Sequence, residues 1–270
     1  MHGPLSRGIS TDFVEAARYF LSAQGRAALT GAGISVSCGV PDFRGDHGIW
    51  SRFDPERFAT LEVFLSRPDR AWQFYRELGR ILRDKEPGAA HRGLAQLESA
   101  GLLDGVVTQN IDGLHRDAGS RRVFEIHGEY RHLQCLDCFG LQRSRFEHFE
   151  SSRPPVCPTC GSVVKPNVVL FGEEVRQWSE AEAVVDCCEV LLIVGTSGSV
   201  LPVAALPRRV LRRGGGLIEF NLEETPLSSQ CRFHFRGPVE ATLPRFVAAI
   251  RELGGFPADS IACPEETRAD

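Results

Sequence analysis

The stretch "ALTGAGISVSCGVPDFRG", residues 28–45, reads as a strand running into a nucleotide-binding turn. It begins as the end of a short apolar strand, and Gly31 and Gly33 then permit a turn tight enough for backbone amides to approach a pyrophosphate. A dinucleotide fingerprint wants a third glycine where Val36 stands, and it should run straight into a helix. Instead Pro41, Asp42, Phe43 and Arg44 follow almost at once, and the expected helix is missing. An ordinary dehydrogenase also carries an acidic residue about 20 residues past its glycines. Here that region already reads as an insertion, which argues against hydride transfer.

Outward from this turn, apolar strands alternate with helix-patterned segments. Phe13, Ala16, Ala17, Phe20 and Leu21 recur at helical spacing in 11–24, and Trp72, Tyr75, Leu78 and Leu82 do so in 68–83. Further helices are expected at 89–101, 178–188, 203–213 and 243–255, and short buried strands within 105–115, 189–197 and 215–223. This alternation predicts an α/β fold, a Rossmann-like parallel sheet with helices on both faces. Four strands end in chemically marked residues: Gly-Ala-Gly, Gln-Asn-Ile-Asp (109–112), Gly-Thr-Ser (195–197) and Asn-Leu-Glu (221–223). Ligands of open parallel sheets bind beyond such carboxyl ends, so the four converge on one crevice. There Thr196 and Ser197 can serve phosphate, Asn221 a ribose, and Asn110 and Asp112 a carboxamide.

Two stretches break the alternation and predict a smaller second domain of two modules. The Rossmann-like part takes about 8–44, 89–127 and 166–255, a helical module about 45–88 and a zinc module about 128–165, with a polar tail over 256–270. In the zinc module, Cys135, Cys138, Cys157 and Cys160 form C-x2-C-x18-C-x2-C. Two such tight turns offer four thiolates to one structural Zn2+, with no open catalytic position. Two unrelated, redox-active cysteine pairs are the alternative.

The chain of 270 residues is 42% hydrophobic with a net charge of −4. That is soluble composition with no general attraction to nucleic acid, so no nucleic-acid partner is expected. Neither a leader pattern nor an apolar run of about 18 residues is present, so no membrane partner and a cytoplasmic location are expected. Seven of the eight histidines read as ordinary structural or surface residues. His127 stands apart because it precedes the zinc segment at the seam between the domains. A satisfied structural ring and a general base both remain open for it.

Together, Gly-Ala-Gly-Ile-Ser with "GVPDFRG", then "TQNIDGLH", "IHGE", the paired cysteines, "KPNVVLFGE", "GTS" and "NLE" resemble the sirtuins, the Sir2 family of NAD-dependent protein deacylases. The match runs from about residue 10 to 252, with spacing most similar to bacterial members. The resemblance implies that NAD, a consumed co-substrate, and acyl-lysine of a protein or peptide enter a cleft between the domains from opposite sides. The acyl group, most simply acetyl, ends on ADP-ribose, and nicotinamide leaves. It implies His127 as general base, with Asn110 and Asp112 as further catalytic residues.

By the same resemblance Gly31, Ala32, Gly33, Ile34, Asp42, Phe43 and Arg44 form the cofactor loop. Pro41 to Arg44 then read as a loop free to close over the nicotinamide ribose. Gln109, Asn110, Ile111, Asp112 and His127 line the nicotinamide and ribose pocket. Gly195, Thr196, Ser197, Asn221, Leu222, Glu223 and Val239 hold phosphate and adenosine. Val168, Val169, Phe171, Gly172 and Glu173 bind the acyl-lysine peptide as an added strand. Departures are Cys38, where alanine or serine is common, Gly198 in place of a bulky residue, and Leu78, where succinyl-preferring members carry arginine. Rival readings are a mono-ADP-ribosyltransferase using the same NAD site and a non-catalytic NAD-sensing or zinc interaction module.

Overall fold

Buried strands must satisfy every backbone group through their neighbours, and the apolar runs do so by pairing in parallel. The computed structural model describes residues 11–42 and 48–257; Phe43, Arg44 and the tail from 258 on lie outside the described residues. In chain order, α1 (Thr11–Ser22) and β1 (Arg26–Thr30) precede α2 (Pro55–Phe58), α3 (Leu61–Ser66), α4 (Pro68–Leu82) and α5 (Ala89–Ser99). Next come β2 (Val106–Thr108), α6 (Leu114–Asp117), β3 (Val123–Glu125), β4 (Gly128–Cys135), β5 (Leu141–Arg143), α7 (Phe146–Glu150) and β6 (Val164–Val168). Finally α8 (Trp178–Asp186), β7 (Val190–Val194), α9 (Ala205–Arg212), β8 (Gly216–Asn221), β9 (Phe233–Arg236) and α10 (Val239–Glu252) complete the order.

The large sheet is six-stranded in the order β3-β2-β1-β7-β8-β9, and every pairing in it is parallel. Successive side chains point to opposite faces, and the packing follows that period. Ala28, Leu192, Val194, Ile218 and Phe220 pack with Phe13, Phe20, Leu94 and Phe246 from α1, α5 and α10. Ala27, Leu29, Leu191, Ile193 and Leu217 pack on the other face with Val184, Leu206 and Val210 from α8 and α9. The chain travels outward from β1 through β2 to β3, then returns to β1's other side with β7. The order therefore reverses between β1 and β7, the switch point where such sheets bind ligands.

Three details differ from the sequence expectation. The helix missing after Gly33 is replaced by two 3-10 turns, Ala32–Ile34 and Val36–Cys38, which Pro41 cannot extend. The last helix begins at Val239 rather than near 243, and Pro244 is tolerated inside it. Strands β3 and β9, of three and four residues, are too short for a periodic signal.

The smaller part has its own antiparallel sheet, order β5-β4-β6, and β6 continues past residue 165, where the sequence reading ended the zinc module. One core serves both insertions: Trp72, Tyr75 and Leu78 of α4 pack with Leu133, Phe149, Cys157 and Val164. The Trp72 indole N–H donates to the Val164 carbonyl at 2.9 Å, a polar atom satisfied within that core.

Gly79 of α4 marks the closest approach, because a Cβ there would overlap the Phe149 ring. Gly→Ala inside a helix ordinarily gains about 1 kcal/mol, but overpacking costs about 1–3 kcal/mol. Gly79→Ala should therefore lower stability, read as a lower urea midpoint with an unchanged slope. A raised midpoint would refute this packing.

Candidate active site and metal centre

The β1 and β7 loops touch at the switch point. Gly33 N donates to the Gly195 carbonyl at 2.8 Å, and a Cβ on Gly33 would sit 2.7 Å from Gly195 Cα. The glycine therefore answers first to this close approach of two strand ends. From β1 to β8 the ends are then laced together by side chains. Gln109 Nε2 donates to Thr196 Oγ1 at 2.8 Å, and Asn221 Nδ2 donates to the Thr196 carbonyl at 2.8 Å and to Glu219 at 3.1 Å. These amide hydrogens, expected to meet a ligand, hold the protein's own loops in place. Ser197 is exposed and bonds Ser199 at 2.8 Å.

On the β2 side, Asn110 and Asp112 are buried at a strand end and meet at one hydroxyl. Ser35 Oγ donates to Asp112 Oδ2 at 2.7 Å and receives Asn110 Nδ2 at 3.1 Å. The other Asp112 oxygen accepts from Leu114 N at 2.9 Å. Burial raises the Asp112 carboxyl above its usual range, against the lowering by Leu114 N–H and Ser35. Ala32, Asn110, Ile111 and Asp112 share a hollow with Ile49 and Leu78, so a polar floor faces an apolar wall.

Sequence reasoning missed this layer. Ser35 directly follows the quoted Gly-Ala-Gly-Ile and was available as a signal. Thr30, Thr108 and His115 were not, because their contact spans the sheet: Thr30 Oγ1 lies 2.8 Å from Thr108 Oγ1 and 2.9 Å from His115 Nε2.

His127 lies between β3 and β4, half-buried. Its Nδ1 is 3.0 Å from the Gln109 carbonyl, which can only accept, so Nδ1 carries the proton and Nε2 the lone pair. Burial lowers the His127 pKa, partly opposed by that carbonyl. Its own carbonyl accepts Val169 N at 2.8 Å, so the segment after β6 is fastened directly to it. That segment continues to Phe171, which exchanges backbone bonds with Ala59 and Leu61 at 3.0 Å each and stays half-exposed.

Several expected ligand residues point elsewhere. The Ile34 and Val239 side chains are buried in the core beside α10. Glu173 turns inward, bonding Leu170 N at 2.8 Å and the fully buried Lys165 Nζ at 3.0 Å. Burial lowers the Lys165 pKa against that carboxylate. Leu222 and Glu223 are exposed beyond β8.

The four cysteines meet as their spacing predicts. Cys135 and Cys160 sulfurs lie 3.5 Å apart, as do those of Cys138 and Cys157, and all four fall within 4.8 Å of one another. A tetrahedron of sulfurs about 2.3 Å from zinc has edges of roughly 3.8 Å, so the donor set fits one structural Zn2+. Cys135 and Cys157 are also part of the shared core, which makes the metal a stitch between β4 and the turn before β6.

Comparison with known proteins follows the same lines. The sequence pattern of the Sir2 family matches residues 31–202, and the chain belongs to that family. It is 40% identical over 247 residues to an "NAD-dependent protein deacylase" of Pyrococcus abyssi, covering 89% of this chain and 98% of the relative. An "NAD-dependent protein deacetylase" of Sulfolobus acidocaldarius is 41% identical over 239 residues, covering 88% and 94%. The solved structure of a Sir2 homolog–NAD complex superposes with a TM-score of 0.82 at 34% identity, covering 92% of this chain and 97% of that one.

Removing the zinc should release the β4–β6 sheet while the six-stranded sheet persists. Hydrogen exchange after chelation should accelerate across 128–168 and remain slow in β1, β7 and β8. Unchanged protection of 128–168 in metal-free protein would remove the structural role of the metal.

Proposed function

We propose that the protein is an NAD-dependent protein-lysine deacylase, acting chiefly as a deacetylase on acyl-lysine proteins or peptides. NAD supplies the chemistry of a nicotinamide–ribose bond that breaks, so that the acyl group passes from lysine to ADP-ribose. The observation that carries the reading is the seam at His127. Its ring is held by Gln109, within the segment expected to line the nicotinamide pocket, and its carbonyl holds Val169, within the segment expected to bind acyl-lysine. One residue thus joins the two substrates' sites.

In this reading the nicotinamide carboxamide meets Asn110 and Asp112 beside the hollow that they line with Ala32 and Ile111. Ser35 orients Asn110 and Asp112 there, and Asp42, Phe43 and Arg44 complete the cofactor loop in this reading. Glu173 serves as a positioning residue through Lys165, and the peptide is held by the backbone of 168–172. Leu78 stands where succinyl-preferring members carry arginine, so in this reading an acidic acyl chain gains no cation from that position and neutral chains are preferred. The division into a Rossmann-like part, a helical module and a zinc module is part of the proposal, as is a cytoplasmic location. Among the described residues no helix is long and apolar enough to cross a membrane, and no disulfide forms.

The test is nicotinamide release from NAD plus an acetyl-lysine peptide, with products identified by mass spectrometry. Wild type should yield acyl-ADP-ribose and free lysine; ADP-ribosylated protein in its place would make the transferase reading correct. His127→Ala should lower turnover by about 10²-fold or more, the usual scale of general-base catalysis.

The pH dependence has a definite sign. The base must be unprotonated, and burial holds its pKa below the ordinary value. The acid limb of kcat/KM should therefore have its midpoint below about 6.5. A midpoint above that value would show that another group controls the limb.

A further inference from the structure

Cys38 is not absorbed by the reading above, yet it does not stand alone. It ends the 3-10 turn Val36–Cys38 of the cofactor loop, where the first turns of α5 and α10 converge on it. Cys38 Sγ lies 3.9 Å from His91 Nδ1, and with a Glu240 carboxylate oxygen all three donor atoms fall within 4.8 Å of one another. Cys38 and Glu240 are half-buried and His91 is fully buried. A thiol, an imidazole and a carboxylate from three separate segments make a ligand set for a borderline divalent cation.

The histidine faces Cys38 through Nδ1, whose lone pair a metal would take over from the Gly88 N–H. Gly88 N–H donates to His91 Nδ1 at 3.3 Å, so the lone pair is on Nδ1, the atom facing Cys38. Nε2 then carries the proton and points at Ser35 Oγ, 3.3 Å away. Glu240 accepts Ala89 N at 2.7 Å and Ala90 N at 3.2 Å, which fixes its carboxylate over the start of α5.

We propose that Cys38, His91 and Glu240 form a second zinc site, separate from the four-cysteine centre, with three protein ligands and an open fourth position for water. Binding exchanges the thiol proton, released to solvent, for a sulfur–zinc bond. One thiolate and one carboxylate balance the charge of Zn2+, which offsets the opposing field of Arg92. Tetrahedral bonds of about 2.0–2.3 Å need donors roughly 3.3–3.7 Å apart, so the three must close by about 1 Å. Closure brings the Cys38 side chain toward the carboxylate that the Ala89 and Ala90 N–H groups hold. Occupancy ties the cofactor loop to α5 and α10, and through the His91 Nε2 proton it braces Ser35 beneath Asn110 and Asp112. The site thereby gives free zinc a handle on the crevice.

The experiment is equilibrium dialysis of zinc-loaded protein against buffered free Zn2+, followed by elemental analysis. Wild type should hold two zinc ions per chain and Cys38→Ser one, while Cys187→Ser, at an exposed thiol elsewhere, should retain two. A single zinc in wild type, or two in Cys38→Ser, overturns the proposal. A variant-free measurement accompanies it: alkylation of Cys38, followed by peptide mass analysis, should slow at least tenfold when Zn2+ is added. An unchanged rate overturns the proposal equally.

Discussion

The ends of β1 and β7 meet closer than any side chain would allow. With 2.7 Å between a Cβ on Gly33 and the Gly195 Cα, only glycine lets the two loops meet. Because the strand order reverses at this pair, the contact sits at the mouth of the crevice. The Gln109–Thr196–Asn221–Glu219 chain then ties neighbouring strand ends to it. A side-chain amide spent on holding a loop is lost to direct recognition, but it leaves backbone groups of that loop in set positions. Preorganisation of this kind lowers the ordering cost that a flexible ligand site incurs on binding.

The smaller part is joined to the sheet in a different way. Its two insertions share one apolar core, and two of the four cysteines that hold zinc are members of it. Metal and core therefore support each other. The segment from Val168 to Phe171 runs between the two parts, bonded at one end to His127 and at the other to Ala59 and Leu61. In the proposed reading, a substrate pairing with this segment would touch both parts at once, where two reactants can be brought together.

Much of the fold was legible from the chain. The helices over 11–22, 68–82 and 178–186 follow apolar periodicity, and the two Cys-x2-Cys turns named their metal. The site was legible as a set of segments more than as a set of contacts. Gly-Thr-Ser and Asn221 were placed correctly at strand ends, but nothing local tells that Asn221 turns toward Thr196. Glu173 looks like a surface acid in a ligand motif until Lys165, eight residues earlier, is seen buried beneath it. Ser35 was hidden in plain sight within a glycine motif.

Local sequence was enough for the longer helices and most buried strands, for where glycine and proline forbid a helix, and for the four thiolates closing one tetrahedron. Those are short-range properties, set by side-chain period, backbone freedom and ligand spacing. The strand order, the direction in which each polar side chain satisfies itself, and the meeting of Cys38 with His91 and Glu240 follow from packing at long range. Cys38 and His91 are 53 residues apart, and their proximity depends on how helices pack across a sheet. Burial forces each polar group to find a partner, and which partner lies within reach is a property of the packed chain alone.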